Sequence, residues 1–416
     1  MSHLASIQPR RVVVTGMSVA TALGFETGEF WDNLLAGRCG ISRMSIVADD
    51  SPLPVKIAGR IPDEALTAIL PEYDTDDPDR ASQLALHIVG RALGDAGLPS
   101  DGKTDLDFDI IFGTGHGNVG VSNVAAHTFH SLGYRKLKPT TVVRSMFNRP
   151  VNLACIRYRI MGASHVVSAA CATGSIAFGE AFHRVRFGLA EGAIAACADS
   201  GLDLMTFAAW NRLGVLSRIP EPERASRPFD KHRDGLVIGE GAAGFMLESL
   251  ESAERRGARI YAEVIGYGGS SDAKHIVQPD VAGQVRAVRK ALAAADLAPT
   301  DIDYVNAHGT ATELADIAEA ASLREVFGAH ADKVPVTNTK AQLGHLMGAT
   351  AGVELVTTLL VMQHGLIPPC RNLDEPDPRC ALNFVRGEPL KADVRHALKN
   401  SFAFGGINSA IILRKM

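Results

Sequence analysis

SHVVSAACATGSIAFGEAFHRV, residues 164–185, decides the reading. A short apolar run passes through Ser and Ala to Cys171, and small residues with a helical pattern follow. Such a run, closed by small residues, reads as a buried strand with its turn at the C-terminal end. VPVTNTKAQLGHLMGATAGVE, 334–354, has the same order of strand, turn and small-residue helix.

Working outward, RRVVVTGM (10–17), FDIIFGTG (108–115), SHVVSAAC (164–171) and GAIAACAD (192–199) read as buried parallel strands. DRASQLALHIVGRALGDAGL (79–98) reads as a helix with Asp79 as N-cap and Gly97 at its end. The second half repeats the order. IYAEVIGYG (260–268) answers the first strand, and a helix over 283–296 follows. IDYVNAHGTAT (302–312) answers FDIIFGTG, VPVTNTKAQLGH (334–345) answers HVVSAAC, and HALKNSFAFGG (396–406) with SAIILRK (409–415) answers GAIAACAD and GAAGFMLES. The expectation is two α/β halves, 1–255 and 256–416, in one rigid body. Extra length at 115–160 and 200–235 in the first half predicts a cap or subunit contact.

Composition narrows the function. The 416 residues carry 42 basic and 46 acidic side chains, a net charge of −4, which disfavours a nucleic-acid binder. No apolar stretch approaches 18 residues, so no membrane span is expected. Arg10-Arg11 before an apolar run faintly resembles a signal peptide, but Gly16 breaks the run and a buried strand is the better reading. Six scattered cysteines, none in C-x-x-C spacing, predict neither disulfides nor structural zinc and fit a reducing cytoplasm. No phosphate-binding glycine motif is matched.

Three positions carry candidate chemistry. Cys171 stands at a helix N-terminus, where free N–H groups favour thiolate; the alternative is a buried structural cysteine, the fate expected of Cys155 and Cys197. His308, in NAHGTAT, ends a strand where α/β folds place ligand groups; a satisfied loop histidine is the other reading. Lys340 and His345 lie about one turn apart, with Glu354 further along the same helix as a partner for Lys340; an ordinary helix-start salt bridge is the alternative. NSFAFGGIN, 400–408, is a glycine-rich turn able to bring backbone N–H groups to a ligand. One thiol and two imidazoles without a metal suit acyl transfer through a thioester.

SAACATGS around Cys171, NAHGTATELAD around His308, TKAQLGH, NSFAFGG and RPFDKHRDGLVIGEGA (227–242) together resemble the β-ketoacyl-acyl-carrier-protein synthases of the thiolase superfamily. The type II condensing enzymes of fatty-acid synthesis and the ketosynthases of type II polyketide systems are similar to nearly the same degree. This resemblance implies a duplicated five-layered α-β-α-β-α thiolase fold with a cap in the first half, a dimer, and decarboxylative Claisen condensation. It implies Cys171 as nucleophile, His308 and His345 as enolate-stabilising donors, and Lys340 and Glu354 as their support. The amides of Cys171 and Phe404 would form the oxyanion hole, Phe404 a gate, and Thr310 and Thr312 the phosphopantetheine contact. No cofactor is implied, since phosphopantetheine arrives on the carrier protein. Partners implied are an acyl carrier protein and acyl and malonyl thioesters, with a homodimer or a heterodimer with a chain-length factor. Chain-length factors lack the active cysteine. Thiolases use a second cysteine near the late turn, and starter-unit enzymes have Asn where His345 stands.

FAFGG replaces the family's FGFGG, so Ala403 is expected to stiffen the gating turn. PEYDTDDPDR (71–80) is acidic where fatty-acid members carry basic residues. The expected carrier-docking residues are therefore Arg80, Arg135, Lys136, Lys138 and Arg144.

Overall fold

The computed structural model describes residues 8–70 and 79–416; the acidic segment expected at the docking face lies, up to Pro78, outside them. Ten strands form one hydrogen-bonded sheet: β1 (Val12–Ala20), β2 (Asp109–Gly113), β3 (Ser164–Val167), β4 (Gly192–Asp199), β5 (Gly241–Ser249), β6 (Ala262–Ser271), β7 (Tyr304–Asn306), β8 (Val336–Thr337), β9 (His396–Ala403) and β10 (Ile407–Arg414). Their spatial order is β8-β7-β9-β10-β6-β1-β5-β4-β2-β3.

That order is a duplication. In the first five, β3, β2 and β4 run parallel, β5 is antiparallel to β4, and β1 is antiparallel to β5. In the second five, β8, β7 and β9 run parallel, with β10 and then β6 antiparallel. The sets join where Val12, Val13 and Val14 of β1 pair with Val264, Glu263 and Ala262 of β6. Each strand therefore has the counterpart that the order of motifs implied.

Two strand readings need correction. β1 is antiparallel to both neighbours rather than parallel; all nine of its residues are buried at the centre of the joined sheet, which gives it the continuous apolar run of a parallel strand. β3 is not buried throughout: it is an edge strand with Ser164 and His165 exposed.

Eight helices matter for the site: α1 (Arg80–Asp95), α2 (Val119–Leu132), α3 (Thr173–Arg186), α4 (Leu204–Leu213), α5 (Val281–Ala295), α6 (Glu313–Phe327), α7 (Lys340–Leu343) and α8 (Thr350–His364). Asp79 caps α1 by accepting the Ser82 amide at 2.9 Å, and Gly97 takes φ +70° beyond its end. α3 and α8 fill the space between the two halves of the sheet. Small residues let them meet: a Cβ on Gly352 would come within 2.3 Å of the Cys197 sulfur, and one on Gly174 within 2.8 Å of the Gly352 amide. α8 is buried from Thr350 to Met362 because sheet covers it on both sides. Phe178, Phe245, Val353, Val356 and Leu413 from both halves share this central core, each large side chain contributing about 1.5–3 kcal/mol by burial. α1 covers one outer face and α5 with α6 the other, giving the five layers α-β-α-β-α. α2, α4 and the segment 134–158 form the insertion, with Phe129, Leu132, Val142, Val143 and Met146 exposed. Among the described residues no helix is long and apolar enough to cross a membrane.

Candidate active site

Cys171 sits in a single 3-10 turn, Ala170–Ala172, between β3 and α3. The chain turns sharply there: Ala170 has φ +46°, and Thr173 Oγ1 accepts the Ala169 amide at 2.8 Å while donating to the Ala170 carbonyl at 2.7 Å. The sulfur is buried yet lines the central cavity. Burial pushes its thiol up to about 11, opposed by the Lys340 charge and the amides of Phe404 and Cys171. Desolvation by burial thus opposes the thiolate expected from the helix start. Cys155 and Cys197 are also raised by burial, to about 11 and about 12. Position rather than acidity singles out Cys171.

His308 follows β7 in a loop held from behind. Glu319 accepts the His308 and Gly309 amides through separate oxygens, each at 2.7 Å. Asn338 and Lys340 both donate to the His308 carbonyl. Gly309 has φ +38°, and a Cβ there would lie 2.5 Å from the Phe229 ring, so the RPFDKHRDG segment braces this loop. Both ring nitrogens of His308 are buried with no hydrogen-bond partner among the described residues.

His345 lies between α7 and α8. Its Nδ1 contacts Thr350 Oγ1 at 2.8 Å and accepts the Met347 amide at 3.2 Å. A neutral ring accepting at Nδ1 carries its proton on Nε2, which has no partner among the described residues. The two rings meet edge to face, 5.4 Å apart at 83°. The Cys171 sulfur and one nitrogen of each ring all lie within 4.8 Å of one another. Burial and then Lys340 hold both imidazoles well below their ordinary range, so both are neutral. A thiol and two imidazoles are a donor set a soft cation accepts. The Nε2–H of His345 disfavours that use: ligation would move its proton to Nδ1, against the Met347 N–H.

Lys340 and Glu354 do pair, at 2.6 Å, but not on one helix. α7 ends at Leu343, Gly344 takes φ +74°, and Glu354 belongs to α8. His345 likewise lies beyond the end of α7, so no continuous helix sets its spacing from Lys340, although the Lys340 charge still acts on its ring. Thr310 and Thr312 hydroxyls lie 2.9 Å apart on the cavity wall. Asp316 seats them by accepting the Thr310 and Ala311 amides at 2.9 and 3.2 Å. Phe404 lines the same cavity, with Trp210, Leu236, Val277 and Met347 as apolar wall. Positive φ falls on Gly405 and Gly406, while Ala403 ends β9, so Ala403 occupies strand and adds no strained residue to the turn.

Arg80 is not a docking residue. Its guanidinium binds Glu240 at 2.6 Å and the Ile61 carbonyl at 2.7 Å, with only 14% of the side chain exposed. Sequence reasoning also missed Asp199, His116, Glu319 and Lys399. Asp199 and His116 stand at the C-terminal ends of parallel strands, as the candidate residues do, and that was the available signal. For Lys399 it was a lysine inside the apolar run of β9.

The geometry sets a buried thiol beside two neutral imidazoles in a duplicated five-layer fold. Residues 9–253 match the family model described as beta-ketoacyl synthase, N-terminal domain, and residues 261–374 the corresponding C-terminal domain. The chain is 34% identical over 415 residues to 3-oxoacyl-[acyl-carrier-protein] synthase 2 of Synechocystis sp., covering 99% of this chain and 100% of that protein. A beta-ketoacyl synthase crystal structure from Burkholderia phymatum superposes with TM-score 0.91 at 35% identity, covering 98% and 100%. The structure described as the ishigamide ketosynthase/chain length factor superposes with TM-score 0.90 at 34% identity, also covering 98% and 100%. The chain belongs to the β-ketoacyl synthase family and has the thiolase fold. Its activity is that of a β-ketoacyl-acyl-carrier-protein synthase, an acyltransferase of fatty-acid or polyketide chain elongation.

Proposed function

We propose that residues 1–255 supply the nucleophile and residues 256–416 both histidines. The Cys171 sulfur attacks the carbonyl of an acyl thioester delivered on the phosphopantetheine arm of an acyl carrier protein. The oxyanion that forms takes hydrogen bonds from the Cys171 and Phe404 amides, a single such donor being worth about 3 kcal/mol. The carrier thiol leaves with the thiol proton, and the acyl group stays on Cys171. Malonyl-carrier protein follows, its arm held by Thr310 and Thr312. Its C–C bond to the carboxylate breaks, carbon dioxide leaves, and the enolate oxygen accepts from Nε2–H of His308 and His345. The enolate carbon attacks the acyl carbonyl, the bond to Cys171 breaks, and the thiolate recovers a proton. Lys340 and Glu354 keep His308 and His345 in place, and Phe404 turns aside once Cys171 is acylated. No bound cofactor takes part.

The observation that carries this reading is the unpartnered Nε2–H of His345 beside the two free nitrogens of His308, within 4.8 Å of the Cys171 sulfur. Intact-mass detection of acyl-Cys171, paired with carbon dioxide release from malonyl-carrier protein, tests it: carbon dioxide without acyl-Cys171 transfer to product would refute the scheme.

The exposed edge strand β3 and the exposed Val142, Val143 and Met146 of the insertion support a dimer. We assign a homodimer, with a heterodimer with a chain-length factor as the second reading, favoured by the 34% identity to a ketosynthase solved with one. Six free thiols suit a cytoplasmic setting.

A further inference from the structure

Lys399 takes no part in the steps above, yet it is wholly buried in the middle of β9. A buried ammonium is costly unless paired. Its Nζ lies 2.9 Å from Glu354 Oε2, while Lys340 holds Oε1 of the same carboxylate at 2.6 Å. Lys340 also reaches the His308 carbonyl, and Glu319 accepts the His308 and Gly309 amides, a use that suits an ionised carboxylate. Two ammoniums and two carboxylates, all buried, thus stand directly behind the imidazoles and sum to zero charge.

We propose that Lys399 is a positioning residue for the condensation: its ammonium balances Glu354, so that the charge behind His308 and His345 cancels and both rings stay neutral hydrogen-bond donors. The inference rests on the roles proposed above for the two histidines. Neutrality matters most at His345, where a proton on Nδ1 would face the Met347 N–H and turn the ring away. The groups facing His308 are Lys340, Lys399 and Glu319 behind it, and Cys171 and His345 across the cavity. Those facing His345 are Lys340, Lys399, Thr350 and the His116 that Asp199 holds, with His308 and Cys171 across the cavity. The Lys399 charge acts on both rings in the direction that keeps them neutral.

Single isosteric changes of opposite charge test this in the full-length enzyme. Lys399→Met leaves the cluster at −1, Glu354→Gln at +1, and the double variant at zero. The readouts are the pH profile of carbon dioxide release from malonyl-carrier protein and the NMR titration of isotope-labelled histidines. The acid limb should move up by about one pH unit in Lys399→Met, down by a similar amount in Glu354→Gln, and return in the double variant. If Lys399→Met fails to fold, the other two variants still carry these expectations. A uniform rate loss at every pH, with unmoved imidazole titrations, overturns the proposal. Imidazoles that shift while the carbon dioxide profile stays fixed refute the histidine roles instead, and the positioning role falls with them.

Discussion

The Gly348 amide donates to Asp199 Oδ2 at 2.7 Å, tying the end of β4 to the loop that carries His345. The same carboxylate accepts the Gly115 and His116 amides at 3.1 and 3.0 Å. One buried side chain from the first half therefore fixes the second half's histidine loop against the layer that holds Cys171. Cys171 and the two histidines come from different parts of the chain, and their register depends on such crossings.

Cys171→Ala should abolish acyl loading and leave the fold intact, since Ala suits the 3-10 turn between Ala170 and Ala172. Intact mass after incubation with acyl-carrier protein checks this; a retained acyl adduct means another nucleophile. With the thiol pushed up to about 11, alkylation of free enzyme by iodoacetamide should keep rising with pH beyond 9. A plateau near pH 7 would mean a thiolate at rest.

His308→Ala and His345→Ala should each slow decarboxylation about 100-fold or more, as expected for loss of an oxyanion donor, while loading of Cys171 falls far less. The enolate charge exists only in the second half-reaction, so its donors act there. Equal loss in both steps would mean that the rings merely hold the cavity open.

Much of this was legible in the residues. Strand-ending motifs at Cys171, His308 and His345 and their order pointed to the repeated strand order and to the cavity these three residues share, because a small-residue turn leaves a local pattern. Strand direction did not, since a strand buried on both faces reads alike in either direction, as β1 does. Nor did the Lys399–Glu354 pair or the Asp199–Gly348 bond, which join residues 45 and 149 positions apart with no local trace. Arg80 misled because its charge alone is visible in sequence, whereas Glu240, 160 positions away, decides its use. The thiol misled for a similar reason: a helix start is local, and burial is not.

Stability should fall as pH drops below about 6.5. His308 and His345 are held well below the ordinary imidazole value, so in that range the unfolded chain binds more protons than the folded one. The slope of unfolding free energy with pH is then positive, with up to about 1.4 kcal/mol per pH unit for each ring. Urea unfolding from pH 5 to 8 measures it, and a His308→Asn/His345→Asn variant should show a flatter dependence. An unchanged slope in that variant would place the titration elsewhere.

Arg80→Met should destabilise the protein by about 3 kcal/mol, because it leaves the Glu240 carboxylate buried without its partner. Denaturant midpoints check this. The salt dependence of carrier-protein turnover should stay as in the parent; a flattened salt response would return Arg80 to the docking face.

Lys136 and Lys138 are exposed and flank a shallow groove with Val121, Val124, Leu137 and Thr141 on the insertion. They are the candidates left for docking an acidic carrier protein, with Arg135, stacked on Tyr134, and half-buried Arg144 beside them. Rim charges act chiefly by steering encounter, an effect that salt screens within about 10 Å. Reversing both lysines to Glu should therefore lower kcat/KM for carrier-bound substrate about tenfold at low ionic strength and flatten its salt dependence. Turnover of a small pantetheine thioester should survive, since that substrate needs no rim. The competing use of this segment is a subunit contact, because Val142, Val143 and Met146 are exposed a few residues on. Sedimentation separates the two: a dimer that persists while only carrier-bound turnover falls fixes the lysines as the docking rim. Equal slowing of both substrates together with dissociation to monomers assigns the stretch to the dimer interface.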